Sequence, residues 1–167
     1  AVFAAACAVL LVGLAALAGF FGLAGGPAGG EPLITLLDLD EPCAVLRSDR
    51  DIPAEIGMAL GVNDVVTTSG EGTATIGYRD DHTVVQLSQD GRLAIFEKDG
   101  AKRIRLSRGA VFCSVAPQEA DKPFVVLTPH ATVRVLGTCL LLSVSETATQ
   151  LDVRDGEVSI TRLLDGQ

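Results

Sequence analysis

The sequence contains no tryptophan, one tyrosine, one methionine and two histidines. With so few large aromatic side chains, a core has to be assembled chiefly from Val, Leu, Ile and Ala. The two histidines, His82 and His130, are the natural bases for catalysis or metal binding. Neither stands in the close Cys or His spacing of a zinc site with Cys43, Cys113 or Cys139, so no metal and no cofactor is expected. Ser107 and Ser114 lack the glycine-flanked context of a nucleophile elbow. Asp80-Asp81 are adjacent, so on a strand they point to opposite faces and in a turn they are solvated; neither arrangement makes an acid–base pair. Gly70-Glu71-Gly72 is a lone loop signal with no helix after it and cradles no phosphate. No catalytic residue emerges, and the chain does not read as an enzyme.

Charge is missing from the first thirty residues altogether. All 13 Lys and Arg and all 21 Asp and Glu follow them, leaving a net charge of −8 on the remainder. No basic run of five or more residues offsets that balance, which disfavours nucleic acid as a partner. Within the uncharged stretch, Val2–Leu23 is almost wholly Ala, Leu, Val, Phe and Gly. About 20 apolar residues cross a bilayer as a helix, so residues 1–24 are expected to form one transmembrane α-helix. A signal peptide lacking its basic start and a buried helix of a soluble core are the rival readings; the stretch is long for the first and has no polar face for the second. The chain starts at Ala1, and an upstream segment is expected before it. The flank after the helix carries Glu31, Asp38, Asp40 and Glu41 but no Lys or Arg before Arg47, which marks it as the outer side.

Residues 25–42, beginning with the Gly-rich GGPAGGEP stretch, read as a tether. Within it, Leu33–Leu39 suits a helical turn or a first strand equally. From Cys43 on, the apolar period is two: Val62–Thr68, Thr73–Tyr78, Thr83–Ser88, Arg92–Phe96, Lys102–Leu106, Ala110–Val115 and Phe124–Leu127 all alternate. Asp-Gly pairs at 90–91, 99–100 and 155–156 separate such segments and predict type I′ turns. Pro53–Leu60 is the best candidate for a short helix. Thr128–Val144 reads as strand, glycine corner at Gly137, and strand, with Thr128-Pro129 fixing an extended entry. Strands at this spacing predict an all-β domain over residues 43–163: a sandwich, a barrel or a solenoid-like stack of short antiparallel strands. Cys113 is in step with Val111 and Val115 and reads as a small core residue, although three cysteines permit one internal disulfide.

The order of these segments resembles the FecR domain. Gly61-Val62-Asn63-Asp64-Val65-Val66-Thr67-Thr68 is similar to its opening, Ala74–Leu87 to a hairpin, and Ile104–Val115 to a strand pair. Phe124–Val144 followed by Val153–Ile160 is similar to the most characteristic part of the family. The residues that define the pattern are Gly61, Asp64, Thr67, Gly109, Thr128, Pro129, Gly137, Thr138 and Gly156. Two positions depart from it. His82 replaces a turn glycine after Asp81, which predicts a different turn type, and Cys139-Leu140 replaces a polar residue followed by Phe.

The resemblance implies a single-pass inner-membrane protein with its β domain in the periplasm. It further implies anti-sigma activity toward an extracytoplasmic-function sigma factor, which would bind a segment upstream of Ala1. A periplasmic or outer-membrane protein would signal through the β domain, and Val2–Leu23 would carry the change across the membrane. The alternative is an envelope module that binds polysaccharide or protein, or anchors a further domain, with no sigma factor involved.

Overall fold

The computed structural model describes residues 33–163. The expected transmembrane helix over residues 1–24, with Cys7 inside it, and residues 25–32 of the tether lie outside the described residues. Among the described residues no helix is long and apolar enough to cross a membrane.

The first strand, β1, is Ile34–Asp40, followed by β2 (Cys43–Arg47), β3 (Arg50–Pro53), β4 (Ala59–Leu60) and β5 (Val65–Thr68). Then come β6 (Thr73–Tyr78), β7 (Val84–Leu87), β8 (Arg92–Lys98) and the long β9 (Ala101–Val115). The chain finishes with β10 (Phe124–Leu127), β11 (Ala131–Val135), β12 (Thr138–Val144), β13 (Thr149–Asp155) and β14 (Val158–Arg162).

These strands form one strongly curled sheet. One ladder runs β4-β1-β6-β7-β9-β12-β13 and the other β3-β2-β5-β8-β9-β10-β11-β14, with β9 common to both. All pairings are antiparallel except β9 with β10. The all-β expectation holds. The sandwich of separate sheets and the solenoid stack do not describe it, because β9 is hydrogen-bonded on both sides of the bend.

The reading of Ile104–Val115 as a strand pair is corrected in the same way: it is one continuous strand. The first half of β9 pairs β8, and its second half pairs β7 and β12. The change of partners falls at Gly109, whose φ of +87° suits glycine. A Cβ there would lie 2.7 Å from the Gly91 Cα, so the two turns of backbone touch.

Alternate residues of β1, β5 to β9, β11 and β12 point into the curl. Leu36, Val45, Val66, Ile76, Leu87, Leu93, Ile95, Ile104, Leu106, Leu140 and Leu142 are essentially inaccessible. Each such side chain contributes roughly 1.5–3 kcal/mol by leaving water. The core is aliphatic, as the lack of aromatics requires, apart from Phe124 meeting the edge of Tyr78 at 5.9 Å between ring centroids. Cys113 is fully buried, and burial pushes its thiol up to about 12. Cys43, Cys113 and Cys139 are all free.

Three further local expectations are corrected. The tether does not run to residue 42: β1 pairs β6 over Ile34–Asp40, so the folded unit starts ahead of that strand rather than at Cys43. Pro53–Leu60 is not helical. Gly57, at φ +85°, turns the chain back so that its N–H donates to the Leu36 carbonyl, and Met58 accepts from the Leu36 N–H.

Of the three Asp-Gly pairs, Asp99-Gly100 alone closes two mutually paired strands, with φ positive at both residues. Asp90-Gly91 and Asp155-Gly156 instead carry the chain from one ladder to the other, because β7 and β8 pair with different halves of β9, and β13 and β14 pair with β12 and β11 respectively. At the β6–β7 turn, His82 itself takes the left-handed conformation, φ +62°, that a glycine would adopt there.

Candidate functional site

The pattern-defining residues are gathered into structural joints rather than into one site. Asp64, 3 % exposed, accepts from the Arg47 Nε at 2.9 Å and from its second guanidinium nitrogen at 2.6 Å. It also accepts from the Gly61 N–H at 2.8 Å. The Arg47 fork continues to the Ala59 carbonyl, so β2, β4 and the approach to β5 are tied to one carboxylate. Burial raises the Asp64 pKa, but the bonds from Arg47 and Gly61 outweigh it and hold the carboxyl below its usual range. Thr67 donates to the Ala44 carbonyl on the neighbouring strand.

At the second joint the Thr128 hydroxyl accepts from the N–H groups of His130 and Ala131 and contacts the Thr149 hydroxyl at 2.8 Å. His130 places Nδ1 3.1 Å from that same threonine and Nε2 3.3 Å from the Glu146 carbonyl. The imidazole therefore locks the Thr128-Pro129 turn to the β12–β13 hairpin.

The third joint is Gly137, Thr138 and Gly156. Gly137 (φ +145°) lets the chain leave β11 and enter β12 in the other ladder, where a Cβ would lie 3.1 Å from the Pro117 Cα. The Thr138 hydroxyl donates to the Gly137 carbonyl at 2.7 Å, and a Cβ on Gly156 would lie 2.5 Å from that hydroxyl oxygen.

Sequence reasoning missed one polar cluster. Asp81 is not a solvated turn residue: it pairs with Lys102 at 2.5 Å and accepts from Gln118 at 2.6 Å and from the Thr83 N–H at 2.9 Å. Burial pushes its carboxyl up, and Lys102, Gln118 and Thr83 together bring it below the ordinary value. Lys102 also meets Asp80 at 2.8 Å and sits 5.3 Å from the Tyr78 ring centroid. The Tyr78 hydroxyl is buried with no hydrogen-bond partner, and burial raises its pKa. The signal available in the sequence was a lysine at an inward position of an alternating strand, which has to find a partner.

His82 lines a shallow groove of about 350 Å³ with Thr35, Leu37, Gly77 and Val84, whereas His130 lines a different one with Thr149 and Ile160. Among the described residues no group of three His, Cys, Asp or Glu could hold a metal ion. What the surface offers is strand edge and sheet face. β3 ends in proline, β4 is two residues long, and β13 alternates charges, all of which blunt a free edge. β14 pairs on one side with β11 and, among the described residues, has no strand on its other side; Ile160 is 54 % exposed.

The profile of the FecR protein family matches residues 64–159. Two crystal structures of a candidate anti-sigma factor from Parabacteroides distasonis ATCC 8503, at 1.65 and 2.50 Å resolution, share the fold. Their TM-scores are both 0.50, at 24 % and 23 % identity, over 60 % of this chain and 50 % of theirs. The chain thus spans about half the length of those structures, and the likeness extends to the fold alone. No curated protein matches it. The family match takes in more than half of the chain, every strand from β5 to β13 and the start of β14; the chain belongs to the FecR family.

Proposed function

We propose that the chain is a membrane-anchored signal transducer that regulates an extracytoplasmic-function sigma factor. Val2–Leu23 spans the inner membrane and the β domain faces the periplasm. A segment upstream of Ala1 holds the sigma factor, and a protein partner engages the β domain along the open edge of β14. The observation that carries the reading is membership of a regulatory family over residues 64–159, preceded by an uncharged apolar segment long enough to cross a bilayer. The β14 edge adds to it: a strand unpaired on one side among the described residues, without proline and bearing an exposed isoleucine, is suited to accept a strand from another protein. The fold likeness to a candidate anti-sigma factor is consistent with it.

The test is to express the whole protein with its native N-terminus and capture it alongside the sigma factors encoded nearby. Co-purification of one of them, lost when the upstream segment is removed, is expected. If no sigma factor co-purifies, with or without the apolar helix, the reading fails.

A further inference from the structure

The outer face of the second ladder carries a cationic surface in an otherwise acidic chain. Phe96, Arg103, Val125, Arg134 and Ser159 are successive cross-strand partners over β8, β9, β10, β11 and β14. The next row is Ala94, Arg105, Leu127, Thr132 and Thr161. Directly paired residues share a face of a sheet. Ile104 and Leu106, which alternate with the arginines, are buried in the core, so this face is the outer one.

Arg103 and Arg105 are two residues apart on one strand, about 6.6 Å, and Arg134 lies two strands away, about 10 Å. The Arg105 guanidinium sits 4.9 Å from the Phe96 ring centroid. Val125, the cross-strand partner of both Arg103 and Arg134, is 3 % exposed although its strand position faces outward.

No carboxylate of the described residues pairs with any of the three arginines; Arg47–Asp64, Lys102 with Asp80 and Asp81, and Lys122–Glu119 pair elsewhere. Asp51, the acid in the same register row as Arg105, is four strands off, and Glu157 lines a shallow groove with Arg134 without forming an ion pair. The Arg103 Nε is buried with no hydrogen-bond partner. Three unneutralised guanidinium groups on one face of a chain of net charge −8 are not explained by the fold.

We propose that this face binds an extended acidic polypeptide segment with a carboxylate at every second residue. In an extended chain every second side chain recurs at about 6.6–7 Å, the spacing of Arg103 and Arg105. Guanidinium groups take carboxylates in paired hydrogen bonds, and the side chains between those carboxylates point away from the sheet. The surface is separate from the sigma-factor reading and does not require it.

The test uses the full chain in neutral detergent at low salt, with a fluorescein-labelled peptide of alternating Glu and Val read by anisotropy. Binding is expected that weakens as salt rises and falls roughly tenfold for each arginine lost in Arg105→Ser and Arg134→Ser. Both side chains are exposed; Arg134→Ser should leave the thermal melt unchanged, and Arg105→Ser, which gives up the Phe96 contact, should lower it only slightly. Arg105→Lys with Arg134→Lys, which keeps the charge and loses the paired geometry, should fall between, and decides the matter if a Ser variant misfolds. Three outcomes overturn the proposal: no binding by the intact chain, equal binding by the variants, or long-chain polyphosphate competing at the peptide's own affinity. It is also overturned if sedimentation shows Arg105- and Arg134-dependent self-association that the peptide does not displace, since the occupant would then be a second copy.

Discussion

At the scale of single residues, Asp64 does more than its short side chain suggests. It is buried, ionised, and the common acceptor for a guanidinium and a backbone N–H from different segments. Replacing it with Asn keeps the shape but turns one acceptor into a donor facing Arg47 and Gly61. Hydrogen bonds to charged groups are worth about 1.5–3 kcal/mol, so Asp64→Asn should destabilise the domain by about 2 kcal/mol in urea unfolding. Arg47→Lys should cost less, because a single ammonium keeps the charge without the fork. Equal stability of Asp64→Asn and the parent would remove the carboxylate from the set of structural anchors.

At the scale of elements, the bends are what turn a run of strands into a curled sheet, and two glycines allow the comparison to be made cleanly. Gly70 (φ +57°) has open space where a Cβ would go, whereas a Cβ on Gly109 (φ +87°) would strike the Gly91 backbone. Both alanine variants incur left-handed strain of roughly 1–2 kcal/mol; Gly109→Ala adds the clash and should have the lower melting temperature. Gly137→Val, placing a branched side chain 3.1 Å from the Pro117 Cα at φ +145°, should cost about 1–3 kcal/mol, and an unchanged melting temperature would refute it.

These bends also mark how far the sequence could be read. Alternation at Ala131, Val133 and Val135 and again at Leu140 and Leu142 was legible because one side faces the core. Which strand pairs with which was not. Asp-Gly looks the same whether it closes a hairpin, as at Asp99, or carries the chain between ladders, as at Asp90. A single alternating run, such as residues 101–115, does not announce that its partners change halfway along. The arginine face was invisible for the same reason: Arg103, Arg105 and Arg134 form no basic run, and only the register of β9, β10 and β11 brings them together.

At the scale of the whole molecule, two carboxylates held below their ordinary pKa couple stability to acid. Asp64 ties β2 to the start of β5, and Asp81 ties the β6–β7 turn to the start of β9 and to the loop at Gln118. The unfolded chain would protonate both near about pH 3.9. Because the folded values are lower, their stabilising contribution is complete above that pH and is lost as pH falls through the folded values. The same descent neutralises the 21 acidic residues and leaves 13 Lys and Arg, so the arginine face loses the acidic background that offsets it. The urea midpoint should therefore hold steady from pH 7 to 5 and drop steeply below 4. In Asp64→Asn the curve should start lower and fall less steeply, since one of the two linked protons has no site to bind. A variant that retained the full parental slope would mean that the acid sensitivity resides in general charge repulsion and not in the Asp64 joint.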